Sequence, residues 1–355
     1  MNHNLEIQKL LLKVETASHP DDKINLLKQA IQLADANNDL DWGFDLRLDL
    51  IRQEKDTSHC TESFPAFAWL LNTYDNNPDL FEEDDFLWEY KWMAGSARRN
   101  VDISREQVES IMEDLKTRLQ RNGYTPRGYY SVMIYWNLFI GDNEKAKEYL
   151  KLRNETPRDQ MSNCPACELD TEVELELMDG NYDKAIAKAS DLITKKLTCG
   201  VMPLVTFCNL TYYLAKGNDP RASEYFAKAE EEFADVEEND TSLLSNIADL
   251  MYYLAKNDRS RAWEYFEQYA DWEIGAEDAI SYDFSRMVLP LLKEGGTKKL
   301  NMNPKLPYYK TDGLYDLDEL YSYYYQKAMH LAKRFDERNR TREFMAGLES
   351  VLEEA

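Results

Sequence analysis

Apolar residues recur at three- and four-residue spacing along most of this chain. Ile24, Leu27, Ala30, Ile31 and Ala34 form one stripe, and Val108, Ile111, Met112, Leu115 and Leu119 form another. That is the period of a helix with one buried face. Trp42, Leu46, Leu48, Leu50 and Ile51, then Phe86, Leu87, Tyr90 and Met93, mark further apolar segments, with breaks at Asn77-Pro78 and Gly123-Tyr-Thr-Pro126. The 13 Gly and 11 Pro are too few to supply the turn needed about every 8 to 12 residues by a sandwich or barrel, so an all-β fold is excluded. The segment 295–313 lacks a helical period. It holds Lys298, Lys299, Lys305 and Lys310 against one acid, Asp312, and reads as a loop that is mobile or rests on acidic surface.

Internal similarity is stronger than any single stripe. Residues 212–226 read YYLAKGNDPRASEYF and residues 252–266 read YYLAKNDRSRAWEYF, identical at 10 of 15 positions with an offset of 40. The same punctuation appears upstream around Gly141 and Gly180. The small residues that follow each turn, Ala146, Ala185, Ala222 and Ala262, are separated by 39, 37 and 40 positions. This spacing suits one helix pair per unit. Gly180 is placed to end the first helix in a left-handed turn. Ala222 with Phe226, and Ala262 with Phe266, put a small and a large side chain on one face, the small one admitting the neighbouring helix.

These residues resemble the tetratricopeptide repeat family. The likeness rests on G-x-Y-x-x-A at Gly180, Tyr182 and Ala185 and on A-x-x-x-F at Ala222/Phe226 and Ala262/Phe266. It departs from that family in a period of 37 to 40 in place of about 34, in lacking W-x-x-L-G, and in lacking a closing proline. The resemblance implies an all-α, right-handed superhelix of antiparallel helix pairs, about 14 to 16 helices in all, whose concave groove holds a peptide or helix of another protein. The organisation expected is an irregular helical region over 1–124, repeats over 125–294, the Lys-rich loop over 295–314 and capping helices over 315–355.

Charge narrows the partner. With 42 Lys plus Arg against 66 Asp plus Glu the net charge is -24, which repels phosphate backbones and anionic membranes and attracts basic polypeptides. No run approaches the roughly 18 apolar residues of a membrane span. Residues 212–285 hold 18 acids and 6 bases, so half of the excess lies in that stretch. Glu231, Glu237, Glu238 and Asp271 belong to it, interleaved with Tyr212, Tyr252, Trp263 and Trp272. Tyr and Trp bury large area with little entropy to lose, so these eight residues are the expected contact set for a basic protein or peptide. The ordinary alternative is that the acids are a solvated face and the rings are core.

Chemistry has little support. Motifs for phosphate cradles, serine nucleophiles and helical zinc proteases are missing, and the four histidines do not pair with a nucleophile. Five cysteines, an odd number in a large chain, point to a reduced, cytoplasmic setting. Cys164 and Cys167 precede one helix pair and Cys199 follows it, while Cys208 sits in the next helix. Thiolates meeting at one end of a hairpin suit structural zinc, the Cys-x-x-Cys alone a redox pair, and buried small residues the bland case. The expectation is a non-enzymatic binding protein, such as a neutraliser of a basic toxic enzyme or a peptide-responsive regulator. The alternative is a zinc-stabilised or redox-responsive protein built on the cysteines, and a third reading is an acidic DNA mimic.

Overall fold

The computed structural model describes residues 3–234 and 240–354. Helix dominates: α1 (His3–Thr16), α2 (Pro20–Ala36), α3 (Leu40–Glu54), α4 (Ser63–Asn76), α5 (Leu87–Ala97), α6 (Arg105–Arg121), α7 (Arg127–Phe139), α8 (Asn143–Glu155), α9 (Pro165–Met178), α10 (Tyr182–Lys188), α11 (Ser190–Ile193), α12 (Leu204–Lys216), α13 (Ala222–Phe233), α14 (Leu244–Asn257), α15 (Arg259–Tyr269), α16 (Asp278–Met287), α17 (Leu289–Leu292), α18 (Leu317–Asn339) and α19 (Glu343–Glu354). No helix among the described residues is long and apolar enough to cross a membrane.

One turn recurs. Asp142 N–H donates to the Asn137 carbonyl while Gly141 N–H donates to Leu138, and the same pair of bonds joins Asn181 to Glu176 and Gly180 to Leu177. These two-bond turns need one left-handed residue, supplied by Gly141 at φ 75° and Gly180 at φ 74°. In the next unit Asn218, at φ 54°, takes that role, and Asp219 N–H closes onto Leu214. Asn38, at φ 52°, does the same between α2 and α3. Side chains start the helices that follow: Asp142 accepts from Lys145 N–H at 3.1 Å and Asp258 from Arg261 N–H at 3.2 Å, while Ser104 and Gln107 form a reciprocal capping box.

Packing follows the alternation seen in the sequence. α7 packs on α8, α9 on α10, α12 on α13 and α14 on α15. The small residues Ala146, Ala185, Ala222 and Ala262 are all buried, as are Phe226 and Phe266. A second series of contacts links every other helix: α5 with α7, α9 with α12, α12 with α14, and α14 with α16. Between α7 and α9 the link is Ile134 against Leu175 and the Tyr135 and Thr171 hydroxyls at 2.7 Å.

That series returns to its start. Ala279 N–H at the head of α16 donates to the Arg99 carbonyl at 3.1 Å, just beyond α5, and Val101 N–H donates to Asp278 Oδ2 at 2.9 Å. Ser58 is tied to Thr241 at 2.7 Å and to the Trp272 carbonyl at 2.8 Å. The C-terminal helices, expected as an end cap, also reach back: Phe139 on α7 lies 5.5 Å from Phe335 and 5.0 Å from Phe344, and Arg338 donates to the carbonyls of Arg98 and Asn100, both at 2.8 Å.

The segment expected as a bare loop is a small ribbon. Strands β1 (Thr297–Lys299) and β2 (Leu314–Asp316) pair antiparallel, with Lys298 opposite Tyr315. Leu300, Met302 and Leu306 are buried, and Asn303 donates to Asp271 at 2.6 Å. Lys298 Nζ sits 4.9 Å from the Trp263 ring centroid. Three apolar anchors among Gly, Pro and Asn give no helical or strand period, which is why their burial is hidden in the sequence.

Candidate functional site

Two sites emerge, one anticipated and one not. The first is the thiol cluster. Cys164 caps α9, its Sγ accepting from Cys167 N–H at 3.2 Å, a position that points the sulfur back over the first turn. Cys167 Sγ lies 3.1 Å from Cys164 Sγ and 3.6 Å from Cys199 Sγ, and all three sulfurs fall within 4.8 Å of one another. Ala166, Leu192 and Met202 form an apolar seat beneath them, while the sulfurs stay half-buried. The hydrogen bond from Cys167 draws the Cys199 thiol down to about 5, and Cys167 is pushed up in return. Cys208 does not join them. It is fully buried on α12 in the main core, its thiol raised by burial, because the rotation of α12 turns position 208 inward.

The second site lies along the alternate helices. Arg98, Tyr135 on α7, Glu174 on α9, Tyr213 on α12, Asp249 on α14, and Asp283 and Arg286 on α16 are all half-buried. Asp249 is the lone acid of α14, whereas Glu174 is one of five acids on α9 and Asp283 shares α16 with Asp278 and Arg286. Burial pushes Glu174 up to about 7, with Asp170 adding to the rise and Arg98 opposing it. Asp249 is raised by burial and then by Asp283, against the pull of Arg286. The groups therefore sense one another in sequence across the interior, from Arg98 through Glu174 and Asp249 to Asp283 and Arg286.

Two cavities open onto this row. The larger, about 530 Å³, is lined by Lys91, Arg98, Arg99, Tyr135 and Glu277 among others. Its size is in the range of small-ligand pockets, roughly 300–1,000 Å³. Arg99 donates to Glu277 Oε2 at 3.1 Å, yet the other Glu277 oxygen and Arg98 Nε are buried with no partner among the described residues. Buried polar atoms without a hydrogen-bond partner cost about 1–3 kcal/mol each. The second cavity, about 400 Å³, is lined by Tyr212, Tyr213, Lys216, Tyr282, Asp283 and Arg286. The first end carries Lys55, Arg98 and Arg99 as cations, and Lys91, drawn down to about 7 by burial, against Glu54 and Glu277. Glu54 is already engaged by His59 at 2.9 Å and by Ser63 N–H at 2.6 Å.

The contact set expected from sequence is placed otherwise. Tyr252 is 1% exposed, Trp263 5% and Tyr212 8%, so these rings are packing residues and not surface anchors; Tyr212 and Tyr252 meet edge to face at 5.3 Å. The 40-residue repeat puts equivalent rings on the packed face of α12 and α14, which corrects the surface reading. Trp272 is half-buried against Tyr269, Asp271 is half-buried on Asn303, and Glu231 is exposed. Glu237 and Glu238 lie outside the described residues. Neighbouring acids are paired within the chain, Glu230 with Arg261, Glu232 with Lys195 and Glu273 with Lys327, which lowers the charge offered outward.

Sequence reasoning missed Arg98, Glu174, Asp249, Asp283 and Arg286. The available signal was an acid flanked on both sides by apolar residues, clear at Ala248-Asp249-Leu250 and masked at Val173-Glu174-Leu175 by the neighbouring Glu172 and Glu176. Comparison with protein-family models, curated proteins and solved structures gives no match.

Proposed function

We propose that this chain is a tetratricopeptide-like, non-enzymatic binding protein whose alternate helices form the inner wall of a right-handed superhelix of antiparallel pairs, and that it holds a basic peptide segment along that wall. The observation that carries the reading is the row of half-buried ionisable side chains, together with two buried atoms that have no partner among the described residues, Arg98 Nε and Glu277 Oε1. A polar row held among apolar helices costs stability, and a ligand that completes its hydrogen bonds offsets that cost. Glu174, Asp249 and Asp283 suit a Lys, Arg or amino terminus, and Arg98 with Arg99 suits a carboxylate of the same segment. Tyr135 and Tyr213 supply flat apolar contact between them.

This moves the basic-partner surface from the outer acidic face to the interior. An immunity-like neutraliser, binding a folded enzyme over a broad face, fits less well than a regulator that encloses a short segment. The test is binding of fluorescent hexapeptide pools, each with one residue type enriched. Pools enriched in Lys or Arg should bind at low salt and weaken as salt rises. Equal binding of acidic pools, or turnover of a small molecule by the purified chain, would contradict the reading.

A further inference from the structure

We propose that Cys164, Cys167 and Cys199 together bind one thiophilic divalent cation of the zinc class, which ties the start of α9 to the chain that follows α11. The sulfur geometry carries this site without reference to the interior row, which it adjoins through Thr171 and Tyr135. Zinc–sulfur bonds of about 2.3 Å in tetrahedral geometry place neighbouring sulfurs about 3.8 Å apart. The sulfurs here stand at 3.1 and 3.6 Å, with the third separation inside 4.8 Å, so shifts of well under an ångström and a fraction of one would seat the ion. A disulfide needs about 2.0 Å and joins only two of the three sulfurs.

The donor set selects the ion. Three thiolates with no carboxylate or imidazole in the group exclude calcium and magnesium, which take oxygen donors. The common iron–sulfur clusters take four cysteines, whereas zinc also binds through three protein ligands with a solvent molecule in the fourth position. The half-buried sulfurs leave room for that solvent. Binding replaces the thiol protons, which leave to solvent, and no electron is transferred.

The site closes a weakly built corner. α10 and α11 are only seven and four residues long, and neither has a side-chain cap. Helices this short do not hold their geometry alone, so a cross-link from Cys199 to the first turn of α9 fixes where the following segment enters α12.

The experiment uses the full chain, untagged and purified without chelator, with metal content measured by mass spectrometry. The reduced, metal-free chain is then titrated with zinc and with cobalt. About one zinc per chain is expected, with thiolate-to-cobalt charge-transfer bands on cobalt addition and a raised melting temperature on zinc addition. Cys199→Ser and Cys164→Ser should each weaken zinc binding at least tenfold, while Cys60→Ser and Cys208→Ser retain it. Should a serine variant fail to fold, the cobalt spectrum of the wild-type chain still decides. A reduced wild-type chain that gives no thiolate–cobalt band overturns the proposal. So does a freshly alkylated chain in which Cys164 and Cys167 are found joined as a disulfide.

Discussion

Arg99 and Glu277 stand 178 positions apart in the chain and 3.1 Å apart in space. Their pairing, with the backbone bonds from Ala279 to Arg99 and from Glu277 to Ser58, joins the end of α5 to the head of α16. A helical repeat stack has no requirement that distant units touch. In this chain segments 178 positions apart do touch.

Breaking this closure should cost measurable stability. Glu277 is 7% exposed and Arg99 39% exposed, so Arg99→Ala leaves a buried carboxylate short of its partner at a cost of about 1–3 kcal/mol, below the value for a fully buried pair. Urea unfolding of Arg99→Ala, Glu277→Gln and the double variant should give a coupling of about 0.5 kcal/mol or more. Additive effects would mean that the pair does not hold the closure.

Stability should depend on pH through Glu174. Its folded value, about 7, lies above its ordinary 4.5, so the protonated form is the one the fold prefers. The stability this group contributes is complete below about pH 4.5 and is lost as pH rises through 7. Partial hydration of the interior reduces the full linkage, and a difference of about 1–2 kcal/mol between the two ends is expected. Glu174→Gln should flatten that slope in chemical unfolding run from pH 5 to pH 8. An unchanged slope would show that Glu174 titrates as a solvated acid.

Helix spacing sets a limit on residue size at Ala262, which is fully buried on α15. Ala262→Leu should overpack the contact and cost about 1–3 kcal/mol, read as a lower melting temperature. Ala262→Gly should cost roughly 1 kcal/mol through helix propensity alone. A Leu variant as stable as the wild type would mean that α14 and α15 can part freely.

The turn after α9 offers a cleaner backbone test. Gly180 has φ 74° and no atom within 4 Å of an added Cβ, so the cost of Gly180→Ala is conformational, about 1–2 kcal/mol. Gly180→Asn should recover most of it, since Asn218 and Asn38 already occupy this conformation in equivalent turns. Equal stability of the two variants, measured by thermal unfolding, would contradict the left-handed assignment.

Much of this arrangement is legible in the sequence, and the reason is periodicity. Ala146, Ala185, Ala222 and Ala262 announce helix pairs because each must be small where another helix approaches, and all four are buried. The turn at Asn38 is hidden within the stretch read as irregular because Asn does the work of Gly there. The sequence spacing brings Cys199 to Cys164 and Cys167, since a hairpin brings its ends together. It does not locate Cys208, because distance along a helix fixes height and leaves rotation open. The closure at Arg99 and Glu277, and with it the interior row, depends on contacts between remote segments that leave no period to read.

The proposed basic segment lies along the interior row, and one comparison separates that placement from the outer acidic face. Binding of the Lys- and Arg-enriched hexapeptide pools is measured by fluorescence polarisation for three proteins: the wild type, Asp249→Asn/Asp283→Asn, and Glu230→Gln/Glu231→Gln. The interior variant should lose about tenfold or more in affinity and the outer variant less than about twofold. Loss confined to the outer variant, with the interior variant binding as the wild type does, would contradict the central claim.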